Sequence, residues 1–87
     1  MHAVVVKVTL SDVDAGLEDL RERVVPQVSK APGFVAGYWT RKGNTGLSMI
    51  IADSEEAANR GSEMVPALIP PGVTLESVEV REVVAHA

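Results

Sequence analysis

The stretch from residue 31 to residue 58, APGFVAGYWTRKGNTGLSMIIADSEEAA, constrains the fold of this chain more than any other part. An apolar and aromatic run at 34–41 is followed by the sequence KGNTG and then by a second apolar run at 47–52. Glycine and asparagine tolerate the positive φ angles of tight hairpins. The stretch therefore predicts two antiparallel strands joined by a direct turn, followed by a helix.

The residues before this hairpin predict a strand and a helix. Residues 3–10, AVVVKVTL, are rich in β-branched types, and residues 3–6 are apolar without alternation, as in a central strand covered on both faces. From residue 13 to residue 29 the apolar spacing changes to three or four, which predicts a helix capped by Ser11 or Asp12. Pro26 lacks a backbone donor, so we expect a kink or an early end near Val25. The apolar stripe comprises Val13, Leu17, Leu20, Val24 and Val28.

The residues after the hairpin predict a second helix and a fourth strand. Asp53 or Ser54 is a suitable N-cap, and we expect Pro66 and the sequence PPG at 70–72 to stop the helix. Residues 74–85 alternate as a half-buried strand does, with Val78, Val80 and Val84 on one face. The apolar stripe of the second helix is predicted to be Ala57, Gly61, Met64 and Leu68.

The element order strand, helix, strand, strand, helix, strand specifies an architecture. Right-handed crossovers and a hairpin arrange it as a ferredoxin-like βαββαβ fold of the α+β class. We expect one domain over residues 1–87, with a four-stranded antiparallel sheet and two helices on one face. Strands one and three carry apolar residues at both odd and even positions, so both faces of the sheet are apolar there. The face without helices is therefore predicted to need a partner. Burial of these apolar side chains would stabilise the fold, and a small domain is only marginally stable without it. We therefore predict a homodimer packed sheet against sheet.

Composition excludes several classes of function. The chain has no cysteine, and its net charge of −4 comes with scattered Lys and Arg, which disfavours nucleic-acid binding. No segment is long and apolar enough for a membrane span, and the first residues do not look like a leader, so we expect a cytoplasmic protein. A DNA-reading segment, which an autonomous transcription regulator needs, is not recognisable. No metal or cofactor site is predicted.

The chain resembles a known family at the segment PGFVAGY (32–38), in the hairpin, and at the helix entry ADSEEA (52–57). These short motifs resemble the dimeric α/β-barrel proteins of the antibiotic-biosynthesis-monooxygenase-like group, and the element order matches over the whole chain. The resemblance implies two sheets paired into a barrel and a hydrophobic pocket between sheet and helices. Some members of that group oxidise aromatic polyketides without metal or flavin, and others degrade heme.

The heme-degrading members are a poor match at their functional positions. The resemblance implies an Asn on strand one, a Trp just before the second helix and a His on that helix. This chain has Val6 or Lys7 at the first position and Ala52 at the second, and it has no His in either predicted helix. Heme degradation is therefore rejected as a prediction.

Tyr38, Trp39 and Arg41 are the candidate catalytic residues, with Asn59 considered beside them. Neighbours on a strand point to opposite faces, so Tyr38 and Trp39 cannot both line one pocket. Regular alternation along the strand would place Tyr38 on the same face as Phe34, and Trp39 on the same face as Arg41. The alternative is that both aromatic residues only pack, each with its polar tip at an edge.

Three further residues, His2, His86 and Lys7, carry side chains capable of metal binding or catalysis. His2 and His86 are brought near each other if strands one and four pair, but two His residues alone do not make a metal site. Lys7 interrupts an apolar strand, so it is expected either to reach an edge or to meet a carboxylate such as Glu79. A structural role is predicted for these residues.

Two functions follow from these observations. The first is a cofactor-independent monooxygenase that acts on an aromatic or quinol-type substrate in a pocket between sheet and helices. The second is a non-catalytic homodimeric module that binds a small apolar ligand. Oxygen uptake in the presence of candidate substrates distinguishes them.

Overall fold

Four strands and two helices follow one another in the predicted order in the computed structural model, which describes residues 1–87. The strands pair antiparallel in the order β2-β3-β1-β4, so the predicted neighbours β1 and β4 do pair. This arrangement confirms the ferredoxin-like α+β fold. The strands are β1 (His2–Leu10), β2 (Phe34–Lys42), β3 (Thr45–Ala52) and β4 (Val73–Glu82).

The first helix covers the predicted residues 13–29, but it is not uniform. An α-helical segment, Val13–Asp19, leads into a wider π-helical turn, Leu20–Val24, and a final α-helical turn, Val25–Ser29. Asp12 caps it by accepting a hydrogen bond of 3.1 Å from the Ala15 amide. The expected early end near Val25 is therefore wrong. The wider turn directly before Pro26 lets the helix continue past a residue that cannot donate a backbone hydrogen bond.

The second helix, Glu55–Leu68, differs from the sequence prediction in two respects. Pro66 lies within its last turn and does not stop it. Its buried residues are Ala57, Ala58 and Val65, whereas the predicted stripe residue Met64 is 45% exposed. Ala58 is fully buried, because its small side chain lets the helix approach the sheet closely. Neither helix is both long enough and apolar enough to cross a membrane.

Alternation along the strands gives the sheet a helix face and an open face. On the helix face, Val4 and Val6 of β1 pack with Ala57, Ala58 and Val65 of the second helix. β3 contributes Gly46, Ser48, Ile50 and Ala52 to this same face, since they lie opposite the helix-facing residues of β1. Both helices cover this face, so the core lies between them and the sheet.

The open face has no covering element and carries large apolar side chains. Tyr38 is 66% exposed, Leu47 48% and Met49 43%. Lys7 is exposed on this face and forms no ion pair; it lies opposite Ser77 of β4, and Glu79 pairs with Arg81. Lys7 therefore does not meet Glu79, and it lies exposed on the open face although its strand is central in the sheet.

A β-bulge near the start of β2 changes which residues share a face. The pairing between β2 and β3 shifts between Phe34 and Ala36, so Phe34 lies opposite Ala52 on the helix face. The predicted grouping of Phe34 with Tyr38 is therefore wrong. One extra residue in the strand reverses the alternation on either side of it, and it brings Phe34 to the same face as Trp39.

The end of β4 also differs from the sequence prediction. β4 ends at Glu82 rather than at residue 85, and Val84 is 87% exposed. β4 stops at Glu82 because its partner strand β1 begins at His2, which lies opposite Glu82. One further hydrogen bond joins the Val83 amide to the Met1 carbonyl. His2 contacts Glu55 of the second helix, with 3.2 Å between Nε2 and Oε2.

Candidate functional site

An apolar cavity of about 110 Å³, the main pocket, lies between the first helix and the helix face of the sheet. Of its 19 lining residues, 13 are hydrophobic, so the cavity suits an apolar ligand. The roof is formed by the first helix, and the floor by β1 and the adjoining strands. The residues that form these two walls include Leu17, Leu20 and Val24 above, and Val6, Val8 and Leu10 below.

Small residues set the shape of the main pocket. A Cβ atom on Gly16 would lie 3.2 Å from side-chain atoms of Leu10 and Val73, so the first helix approaches the sheet closely at this point. On β3, a Cβ atom on Gly46 would lie 2.7 Å from Val8 Cγ2. Gly16 thus lets the first helix approach the sheet, whereas Gly46 leaves room for the Val8 side chain of the neighbouring strand.

Trp39 forms one wall of the main pocket, and Gly37 determines how it lies. A Cβ atom on Gly37 would come within 2.7 Å of Trp39 Cη2 and Cζ3 and 3.4 Å of Phe34 Cε2. The indole ring therefore lies back over Gly37, beside the Phe34 ring. A glycine in a strand commonly marks such a close approach. The arrangement presents a flat aromatic surface at the edge of an apolar cavity.

The polar groups of the main pocket are few. Arg41 is the one charged residue among the lining residues; it is exposed at the rim, and its Nη1 donates a 2.9 Å hydrogen bond to the Gly43 carbonyl. Ser48 lies half-buried on the floor. Its hydroxyl and the Trp39 indole N–H form no hydrogen bond with other groups of the chain, so both can bind a ligand.

The structure separates the three predicted catalytic residues. Trp39 and Arg41 lie together at the main pocket, because alternate residues of a strand share a face. Tyr38 lies on the open face, opposite Met49 of β3, and does not line the pocket. Asn59 is exposed on the second helix and lies outside the lining as well.

Sequence reasoning missed Ser48 and Phe34 as residues of this region. Ser48 is the one polar residue in the run LSMIIA, and a polar residue in a strand covered by helices was a signal that could have been used. Phe34 could not be placed correctly, because the bulge beside it has no clear sequence signature.

A second apolar cavity of about 70 Å³, the side pocket, adjoins the main pocket. It lies near the start of β2, between Phe34 and the second helix, and Gln27 is its one lining residue with a polar side chain. Four side chains line both cavities and form the partition between them. These are Val28, Ile50, Val65 and Leu68.

Hydrogen bonds of Arg23 form a clasp between the two helices, next to the partition residue Leu68. Arg23, in the π-helical turn, donates to the Asp19 carboxylate at 2.9 Å and to the Leu68 carbonyl at 3.1 Å. Its hydrogen bonds with Asp19 raise the pKa of the guanidinium above its ordinary value, so Arg23 stays charged. The clasp thus links the π-helical turn to the C-terminal end of the second helix.

Comparison with known proteins reveals similarity at the level of the fold. No family model and no curated protein matches the sequence. Among solved structures, the chain is similar to the heme-degrader MhuD from Mycobacterium tuberculosis, in a structure with two hemes bound in its active site. The two chains are 21% identical, with a TM-score of 0.54 and 98% of each chain covered. This protein therefore shares the ferredoxin-like α+β fold of MhuD over nearly its whole length.

Proposed function

We propose that this protein is a small oxygenase of the antibiotic-biosynthesis-monooxygenase type that oxidises a quinol-type aromatic substrate without a cofactor. The observation that carries this proposal is the main pocket itself, where an apolar cavity meets a Trp39 ring, a free Ser48 hydroxyl and the Arg41 guanidinium. An apolar site with a few convergent polar groups is the usual form of a small-molecule site. The fold shared with the heme-degrader MhuD also supports the proposal.

The size of the main pocket favours a substrate with one ring. Its volume of about 110 Å³ is well below the range of about 300–1,000 Å³ that holds drug-sized ligands. A hydroquinone ring fits such a site better than a polycyclic anthrone does. The ring would stack against Trp39 and place one hydroxyl towards Arg41 and Ser48.

Heme itself is a poor candidate for this pocket. MhuD is described with two hemes in its active site. The lining of the main pocket contains no His, Cys, Tyr or Met, the residue types that commonly ligate heme iron. Its volume is also too small for a porphyrin. The donor set and the volume therefore both favour a smaller, metal-free substrate.

In the proposed reaction, the substrate supplies the electrons. A quinol and dioxygen give a hydroxyquinone and water: one oxygen atom forms a bond to a ring carbon, and the other leaves as water. Loss of a hydroxyl proton makes the ring electron-rich enough to reduce dioxygen. Arg41 favours that loss by placing a positive charge beside the developing oxyanion. The proton passes to solvent at the rim, where Arg41 is exposed.

A non-catalytic binding module is the second candidate. The lining of the main pocket contains no Asp, Glu, His or Lys, and so no ordinary general base. An enzyme at this site depends on the acidity of the substrate, whereas a binding protein needs only the apolar walls. The two candidates therefore differ in one measurable property: only the enzyme consumes oxygen and converts the bound molecule.

Oxygen uptake tests the proposal. Pure protein is incubated with methylhydroquinone under air, and enzyme-dependent uptake is expected. Arg41→Gln should lower it about tenfold to 100-fold, because the oxyanion loses its charged partner. Trp39→Phe should weaken substrate binding, whereas Arg60→Gln, a matched change at an exposed arginine paired with Glu56, should keep full uptake.

Two results would change the proposed site or the proposed function. Uptake that Arg41→Gln and Trp39→Phe leave untouched, but that Tyr38→Phe abolishes, would move the site to the open face. Saturable binding of the quinol without oxygen uptake would favour the binding module.

We also infer that two copies of this chain pair through the open face. Tyr38, Leu47 and Met49 support the pairing, since each is more than 40% exposed in the single chain and all three lie on one surface. The pairing would form the barrel that the family resemblance implies. The cytoplasmic location stays a prediction from the sequence.

A further inference from the structure

We propose that the main pocket and the side pocket form one divided binding site for a quinol or phenol that carries an apolar tail. The ring would occupy the main pocket, and the tail would pass the partition into the side pocket. This inference rests on the proposed function, because it extends the same site. It adds a substrate class that the main pocket alone does not specify.

The partition is only one side chain thick. Val28, Ile50, Val65 and Leu68 each face the main pocket on one side and the side pocket on the other. Three of them are β-branched and stiff at χ1, but Leu68 is not branched at Cβ and rotates more easily. Leu68 also lies at the end of the second helix, where the Arg23 clasp reaches its carbonyl. A small movement there would join the two cavities.

The polarity of the two cavities gives a ligand its direction. Arg41 and Phe34 lie on the same strand, seven residues apart, which corresponds to about 20 Å. Arg41 marks the polar end of the main pocket, and Phe34 lines the side pocket. No residue with a charged side chain lines the side pocket. A molecule with an ionisable hydroxyl at one end and a hydrocarbon chain at the other fits this gradient.

Gly61 offers a way to fill the side pocket selectively. It lines the side pocket but not the main pocket, and a Cβ atom there would meet only Val4 Cγ2, at 3.8 Å. Gly61→Ala is therefore accommodated, and it removes a flexible residue from a helix interior. Gly61→Val places two further methyl carbons in the space that the tail would occupy.

The experiment measures binding of hydroquinone and of 2-alkylhydroquinones with one to six carbons, under anaerobic conditions, by quenching of Trp39 fluorescence. In the wild-type protein, affinity should rise about fourfold for each methylene that enters the side pocket and then level off. In Gly61→Val, the ratio of affinities between the longest and the shortest ligand should fall towards one. In Ala67→Val, a matched change at an exposed residue of the same helix outside both pockets, the ratio should be kept.

The outcomes separate this inference from the proposed function. Binding of hydroquinone with no gain from the tail would overturn the divided site and leave the main pocket as proposed. A gain that Gly61→Val keeps in full would show that the tail leaves by another route, and would also overturn it. If Gly61→Val does not fold, Gly61→Ala tests the same point: its single methyl group fills less of the side pocket, so it should lower the ratio by a smaller amount, and an unchanged ratio would overturn the divided site. Failure of every ligand to bind would overturn both proposals.

Discussion

Trp39 owes its position to a missing side chain two residues earlier. Its ring atoms occupy the space that a Cβ atom on Gly37 would need. Trp39 is the only tryptophan of the chain, so tryptophan fluorescence reports on the surroundings of this one ring. The ring also forms a wall of the main pocket, and the contact therefore links a backbone feature of β2 to ligand binding.

Gly37→Ala should displace the indole ring. A contact of 2.7 Å cannot be kept by real atoms, and Trp39 is only half-buried, so its ring is expected to turn towards solvent. The expected result is a red shift of the fluorescence emission and weaker binding of hydroquinone. Gly61→Ala is the control, because its new Cβ makes only an ordinary contact. Unchanged emission in Gly37→Ala would contradict the close packing.

The start of the second helix shows how one residue fixes an element. The Ser54 hydroxyl accepts a 3.1 Å hydrogen bond from the Ala57 amide, whereas the Asp53 amide donates to the Gly33 carbonyl at 2.8 Å. Of the two N-caps that the sequence allowed, the structure uses Ser54. Its extended backbone is typical of an N-cap.

Ser54→Ala should lower the free energy of unfolding by about 1 kcal/mol, because an amide of the first turn loses its acceptor. Ser62→Ala provides a matched control within the same helix, since its hydroxyl bonds back to the Asn59 carbonyl and caps nothing. Urea unfolding measures both. Equal losses in the two variants would mean that Ser54 does not act as the cap.

The Arg23 clasp is the contact that ties the first helix to the second. Arg23→Ala should lower the melting temperature more than Arg60→Ala does, because Arg60 bonds only to Glu56 on its own helix. Both side chains are exposed, so the difference isolates the link to Leu68 from the weak stabilisation of a surface ion pair. Thermal unfolding followed by circular dichroism makes the comparison. Equal melting temperatures would remove any structural role for the clasp.

For the whole molecule, we predict that the open face pairs with the same face of a second copy. Burying the exposed part of an apolar side chain such as Leu47 or Met49, each a little under half exposed, contributes about 1 kcal/mol, and several such side chains together are appreciable beside the stability of a small domain. Leu47→Asp should therefore convert a dimer to a monomer in sedimentation velocity. Val84→Asp, at an apolar residue exposed beyond the end of β4, should leave the dimer intact. A wild-type protein that sediments with the mass of one chain would contradict the pairing.

The features of this molecule that could be predicted are those encoded by residues close to one another in the sequence. The hairpin, both helices and the order of strands follow from apolar spacing and from the turn residues around Gly43. The separation of Tyr38 from Trp39 also follows, because strand alternation is a local rule. The joint position of Trp39 and Arg41 on one face was predicted for the same reason.

The remaining features depended on contacts between distant parts of the chain. The bulge beside Phe34 arises from pairing with β3, and the end of β4 from where β1 begins. The burial of Ala58 arises from the packing of the second helix against the sheet. The sequence by itself determined which elements form, since their periodicity is written in neighbouring residues. Only the tertiary structure decided where a cavity remains, because a cavity is what distant side chains fail to fill.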